Sequence, residues 1–112
     1  MKWFSPYYFF LLVCICPSTW LAAQETLPHF KVKDLGTYSD ERCDYPVIAY
    51  SLAKEIAQGK YKQGILICKT GIGNSIVANR LPRVRAALCY NVKAARLSRE
   101  HNDSNILVLG ST

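Results

Sequence analysis

Gly64-Ile65-Leu66-Ile67-Cys68-Lys69-Thr70-Gly71-Ile72-Gly73-Asn74-Ser75 begins as a continuous apolar run and breaks into a small, polar, glycine-rich turn. A short apolar run closed by such a turn reads as a strand buried on both faces, and the helical pattern after it completes a strand, loop and helix. Cys68 falls where the strand ends. The first turn of a helix leaves backbone N–H groups without intrahelical partners, so the turn can present donors to an anion. One reading is a thiol facing a phosphate or an oxyanion; the other is a strand-end cysteine that packs as a small hydrophobe.

The flanking sequence repeats the alternation. Phe30-Lys31-Val32-Lys33-Asp34-Leu35 has period two, as a half-buried strand would, and Gly36 ends it. A polar loop over 39–44 leads to Tyr45-Pro46, where proline opens a helix. That helix is predicted to run to about Gln58, with Ile48, Leu52 and Ile56 four apart, Ala49 and Ala53 beside them, and Gly59 as its stop. Beyond the glycine turn the helical pattern lasts until Pro82. A strand is expected over 84–89, a short helix over 92–99, a polar knot Glu100-His101-Asn102-Asp103, and a last buried strand over 105–110. Strands alternating with helices imply an α/β fold with a parallel sheet and right-handed crossovers. Such sheets bind ligands at the carboxyl ends of their strands, the edge to which Cys68, Tyr90 and Gly110-Ser111 map, and the His101 knot is expected in a connection that could reach it.

Composition narrows the function classes. The 112 residues fit one domain, and the formal charge of +6 calls for an anionic partner without choosing among nucleic acid, membrane surface and phosphorylated metabolite. The basic residues lack the interleaved aromatic platforms or motif of a nucleic-acid binder. Five cysteines, an odd number with no C-x-x-C pair, argue against a disulfide framework or a metal site. Ile76 stands where a dinucleotide fingerprint needs its third glycine, and no Gly-Lys-Ser/Thr ending marks a P-loop. Residues 1–24 differ from the rest: Lys2, an apolar run over 7–16, then Pro17 and a small-residue stretch, the pattern of a signal peptide or short anchor, or of a misassigned start whose apolar part pads the core. His101, flanked by Arg99, Glu100, Asn102 and Asp103, is either a solvated loop residue or an acid/base group.

Taken together, Asp34-Leu35-Gly36-Thr37-Tyr38-Ser39, Arg42-Cys43-Asp44-Tyr45-Pro46, the stretch 64–75, residues 76–82, Arg85-Ala86-Ala87, Leu97-Ser98-Arg99-Glu100-His101-Asn102-Asp103 and the closing 107–110 resemble type B ribose-5-phosphate isomerase. The wider family includes galactose-6-phosphate isomerase subunits, and the resemblance spans residues 25–112. It implies a Rossmann-like three-layer α/β/α fold and a homodimer with active sites at the subunit interface. It also implies no cofactor, a phosphorylated sugar substrate, and aldose–ketose isomerisation through an enediolate in a cytoplasmic pentose phosphate pathway. Cys68 falls on the family's catalytic thiol. Thr70 and His101 match residues assigned to opening the furanose ring, and Asp44, Tyr45, Gly71, Gly73, Asn74, Ser75 and Asn102 match substrate-lining or anion-hole positions. Some members use a glutamate base at the position of Asn74, which leaves Cys68 as the base here.

Three departures qualify the resemblance. The family's first strand, ending in an Asp-His pair, is expected to have no counterpart, because the apolar segment stands in its place. The C-terminal helical region, whose arginines grip the phosphate, is absent after Thr112, so the fold is expected to be truncated at both ends. Lys69 replaces a glycine, which would crowd the turn if the backbone there needed positive φ. Alternatives that stay open are a non-catalytic relic or sugar-phosphate-binding domain and an isomerase for another sugar phosphate. Export or membrane anchoring would follow only if residues 1–24 are a genuine leader or anchor.

Overall fold

The computed structural model describes residues 10–14, 31–36 and 44–111. Five strands, β1 (Phe10–Cys14), β2 (Lys31–Asp34), β3 (Gln63–Cys68), β4 (Ala86–Leu88) and β5 (Ile106–Gly110), form one sheet in the order β2-β1-β3-β5-β4. All four pairings are parallel. Helices α1 (Tyr45–Ala57), α2 (Ile72–Ala78) and α3 (Val92–Asn102) make the crossovers among these elements. From β2 to β3 and from β3 to β4 the chain steps the same way across the sheet, whereas β4 to β5 steps back. Right-handed crossovers therefore put α1 and α2 on one face and α3 on the other. This is the α/β/α layering expected from the sequence.

The apolar run of the N-terminal segment gives a different result from its expectation. Phe10–Cys14 is a strand between β2 and β3, with Leu11 opposite both Val32 and Gln63. The sequence reading placed no strand before Phe30 because the run resembles a leader; a run with apolar character throughout suits a central parallel strand equally well. The rest of residues 1–24, the start of the Phe30 strand and the polar loop over 39–43 lie outside the described residues.

The core forms where α1 and α2 cover the sheet. Ala49, Leu52, Ala53, Ile56 and Ala57 of α1 are buried against Leu66, Ala78, Val84, Ile106 and Val108. The small residues let α1 approach closely, and Leu52 fills the space over Gly64. Pro46 sits in the first turn of α1 and Gly59, at φ 74°, follows its C-cap Gln58, as the sequence signals predict. No residue of α3 is fully buried, so among the described residues the second face is covered more thinly.

The edge strand β4 is shorter than the expected 84–89. Asn79, just past α2, accepts from Ala86 N–H at 2.8 Å and donates to Ala86 O at 2.9 Å, closing the outer backbone groups of that edge residue. Before it, Arg83 turns the chain with φ 64°. Arg83 Nε donates to Ala57 O at 2.9 Å, and a second guanidinium nitrogen shares that carbonyl at the C-terminal end of α1. Because a left-handed conformation costs an L-residue about 1–2 kcal/mol, Arg83→Ala keeps the strain and loses the carbonyl bond, whereas Arg83→Gly loses only the bond. Urea unfolding is expected to find Arg83→Gly more stable than Arg83→Ala by about 1 kcal/mol.

Candidate active site

The carboxyl edge of the sheet gathers the chemistry. Cys68 ends β3, opposite Gly110 at the end of β5. Ser111 N–H donates to the carbonyls of Cys68 at 2.9 Å and Lys69 at 3.1 Å, tying the two strand ends together. A Cβ on Gly110 would lie 2.7 Å from Thr70 O and 3.2 Å from Lys69 O. The 68–70 segment therefore rests directly on the Gly110 backbone.

The chain then turns at Gly71, whose φ of 80° lies in the left-handed region and whose missing Cβ leaves room for Leu88 Cδ1, 2.4 Å from where that atom would be. This turn points Gly71 N–H back at Cys68, whose Sγ accepts it at 3.1 Å. Thr70 Oγ1 accepts Ile72 N–H at 3.3 Å. Two of the donors expected to face an anion are thus directed at the site's own side chains, one of them the thiol. The expected crowding at Lys69 does not arise, because positive φ outside glycine occurs among the described residues only at Arg83 and Asp103.

A cleft of about 490 Å³ opens beside the thiol, lined by Tyr45, Cys68, Lys69, Thr70, Ile72, Gly73 and Ile76. Tyr45 enters from the first turn of α1, where its ring occupies the space beside Gly73. Asp44 precedes it as the exposed N-cap residue of α1. Ile72 and Ile76, one helical turn apart and half-exposed, form an apolar wall. Tyr90 O–H donates to Thr70 O at 3.4 Å from the β4 side.

Other expected site residues have different surroundings. Asn74 is 3% exposed and is not one of the cleft-lining residues, and its Oδ1 is buried without a hydrogen-bond partner, a situation that costs about 1–3 kcal/mol. Ser75 O–H donates to Ile72 O at 2.7 Å. His101 and Asn102 are not in a loop but form the last turn of α3. The sequence reading ended that helix at Arg99 because the next four residues are polar. The left-handed cap residue Asp103 ends it instead, at φ 48°.

That helix starts at the carboxyl edge and runs back about 16 Å, so His101 and Asn102 end up at the amino edge. Arg85 Nε donates to Asp103 O at 2.7 Å and Arg85 N–H to Asn105 Oδ1 at 2.8 Å, fixing this turn beside the starts of β4 and β5. Within one chain, therefore, Cys68, Thr70, Gly71, Gly73 and Tyr45 are brought together and His101 is held at the far edge.

Cys89 shows what a packing thiol looks like in the same sheet. It is buried, burial pushes its thiol pKa up, and a hydrogen bond with Ser98 partly offsets that rise. Cys68, by contrast, is only partly buried and lines the cleft. Sequence reasoning missed the apolar Ile72/Ile76 wall and the close approach at Gly110. The first was hidden because exposed isoleucines at helical spacing read as core, the second because one glycine near a strand end signals many things.

Comparison with known proteins sets this geometry in context. The family described as Ribose/Galactose Isomerase matches residues 19–112. Ribose-5-phosphate isomerase B of Escherichia coli K12 is 49% identical over 81 residues, covering 72% of this chain and 54% of the relative. D-erythrulose-4-phosphate isomerase of Pectobacterium atrosepticum is 45% identical over 67 residues, 60% of this chain and 44% of that protein. The structure of Trypanosoma brucei type B ribose 5-phosphate isomerase superposes with a TM-score of 0.83 at 36% identity, covering 93% of this chain and 74% of that one. The chain spans about half the length of the curated relatives it matches.

The backbone contact at Gly110 yields a direct test. Gly110→Ala must push against Thr70 carbonyl and carbon atoms, 2.7 and 3.0 Å from the new methyl, which cannot rotate away as a side chain would. Chemical denaturation is expected to show a loss of about 1–3 kcal/mol, accompanied by faster alkylation of Cys68 as its segment is lifted from the sheet edge.

Proposed function

This chain belongs to the ribose/galactose isomerase family, and from that premise we propose that it interconverts ribose 5-phosphate and ribulose 5-phosphate with Cys68 as the base. The observation that carries this reading is the Cys68 sulfur, lining the cleft at the carboxyl edge and oriented by Gly71 N–H at 3.1 Å. The thiolate takes the proton from carbon 2 of the open-chain aldehyde, and the electron pair moves onto the carbon 1 oxygen to give the enediolate. A proton passes between the two oxygens, and the Cys68 thiol returns its proton to carbon 1, leaving the carbonyl at carbon 2. The reaction is redox-balanced within the substrate, so it asks only for a base, donors for the developing oxyanion and a shaped cleft.

Thr70 lines the same cleft as Cys68, as a group that helps open the furanose ring should. The Gly73 and Asn74 amides, next in the turn after those directed at Thr70 and Cys68, are the donors we assign to the enediolate oxygens. Tyr45, Ile72 and Ile76 shield the intermediate from water. His101 and Asn102, held at the opposite edge of their own chain, serve the site of a second copy in a homodimer whose active sites lie at the subunit interface. Ribose 5-phosphate is favoured over a four-carbon sugar phosphate because the Escherichia coli ribose-5-phosphate isomerase B, at 49% identity, is more similar to this chain than the D-erythrulose-4-phosphate isomerase, at 45%.

A cytoplasmic location fits the supply of pentose phosphates. The pairing of Phe10–Cys14 with two neighbouring strands supports a segment that stays with the folded domain. Among the described residues, no helix is long and apolar enough to cross a membrane.

Two outcomes follow. Cys68→Ser is expected to lower kcat/KM for ribose 5-phosphate by about 10²-fold or more with an unchanged far-ultraviolet circular dichroism spectrum; a variant as active as the parent contradicts the role of the thiol. Cys68→Ala and His101→Ala chains, each inactive alone, are expected to regain activity when unfolded and refolded together, because a hybrid dimer contains one site with both side chains. Mixtures that stay inactive while forming hybrids contradict the shared site.

A further inference from the structure

We propose that the Lys69 ammonium is the cleft's cationic contact for the phosphate of its substrate, an inference that rests on the sugar-phosphate isomerase reading. The cleft is walled by Tyr45, Ile72 and Ile76, and among the described residues that line it Lys69 alone has a cationic side chain. The phosphate of a sugar phosphate is anionic, and an ammonium at the cleft pairs with it through charge-assisted hydrogen bonds. The position of Lys69 is set by the sheet. Its carbonyl accepts Ser111 N–H at 3.1 Å and lies 3.2 Å from where a Cβ on Gly110 would sit, so its backbone is fixed at the strand end while its side chain stays exposed.

Lys69 follows Cys68 directly in the chain. In an extended strand end successive side chains point to opposite sides, but here the strand has just ended and both residues line one cleft. An ammonium on a four-carbon stem suits an anion that lies several ångströms from the reacting carbons, because it reaches out from a fixed backbone. A sugar phosphate whose aldehyde end meets the thiol carries its phosphate at the other end of the molecule, away from the reacting carbons, where such a stem can follow it.

The test uses the full chain, with calorimetric binding of inorganic phosphate and of ribose 5-phosphate alongside steady-state kinetics. Lys69→Gln is expected to weaken both anions about tenfold, the usual worth of one charge-assisted hydrogen bond, and to raise KM by a similar factor while kcat changes far less. Lys69→Arg, which keeps the charge, is expected to recover most of the affinity. Unchanged affinity for both anions in Lys69→Gln overturns the assignment. A parent that turns over normally while Lys69→Gln keeps its KM overturns Lys69 and leaves the isomerase reading intact. A parent that binds both anions through Lys69 without turnover upholds the contact and overturns the isomerase reading.

Discussion

The structure depends on the parallel pairing of β3 with β5, which brings Cys68 level with Gly110 and lets Ser111 N–H hold the carbonyls of Cys68 and Lys69. Every feature of the site is referred to that joint. The 68–70 segment lies on a glycine because a Cβ there would meet its backbone, and the turn at Gly71 can point an N–H back to the sulfur because its left-handed φ and its contact with Leu88 exclude a side chain. The thiol is thereby oriented by rigid elements instead of by a mobile loop, which is what a proton transfer requires of its base.

The order β2-β1-β3-β5-β4 adds a second constraint. The chain leaves β1 toward β2 on one side, while β3 leads toward β4 on the other, so the crevice at their carboxyl ends is a topological switch point and Cys68 stands on it. The same topology carries α3 away from that edge. His101 is fixed beside Arg85 and Asp103 at the amino edge by hydrogen bonds that also cap the helix. Within one chain, that placement keeps the His101 side chain away from the edge where Cys68 lies.

Much of this was legible in the sequence. The strand–turn–helix unit at 64–75, the Pro46 start and Gly59 stop of α1, and the alternation of strands with helices come from local signals that tertiary packing reinforces. Tertiary context decided the rest. Phe10–Cys14 has the apolar character of both a leader and a central strand, and only its neighbours choose between them. The polar residues 100–102 carry no helix signal of their own; they are helical because the Arg85–Asp103–Asn105 network ends the helix further on. Ser75 and Asn74 were placed by motif alone. The structure turns the first hydroxyl into its own helix and leaves the second side chain buried and off the cleft lining.

Movement of a carbon-bound proton through an enediolate, the step proposed for the Cys68 thiol, is read most directly by isotope exchange. Ribose 5-phosphate turned over in deuterium oxide and followed by proton nuclear magnetic resonance is expected to gain deuterium at carbon 1 of the ribulose 5-phosphate formed, because a proton held on sulfur or oxygen exchanges with solvent. Ketose formed with its carbon-bound hydrogens undiluted would indicate a hydride shift between the two carbons and contradict the role given to Cys68.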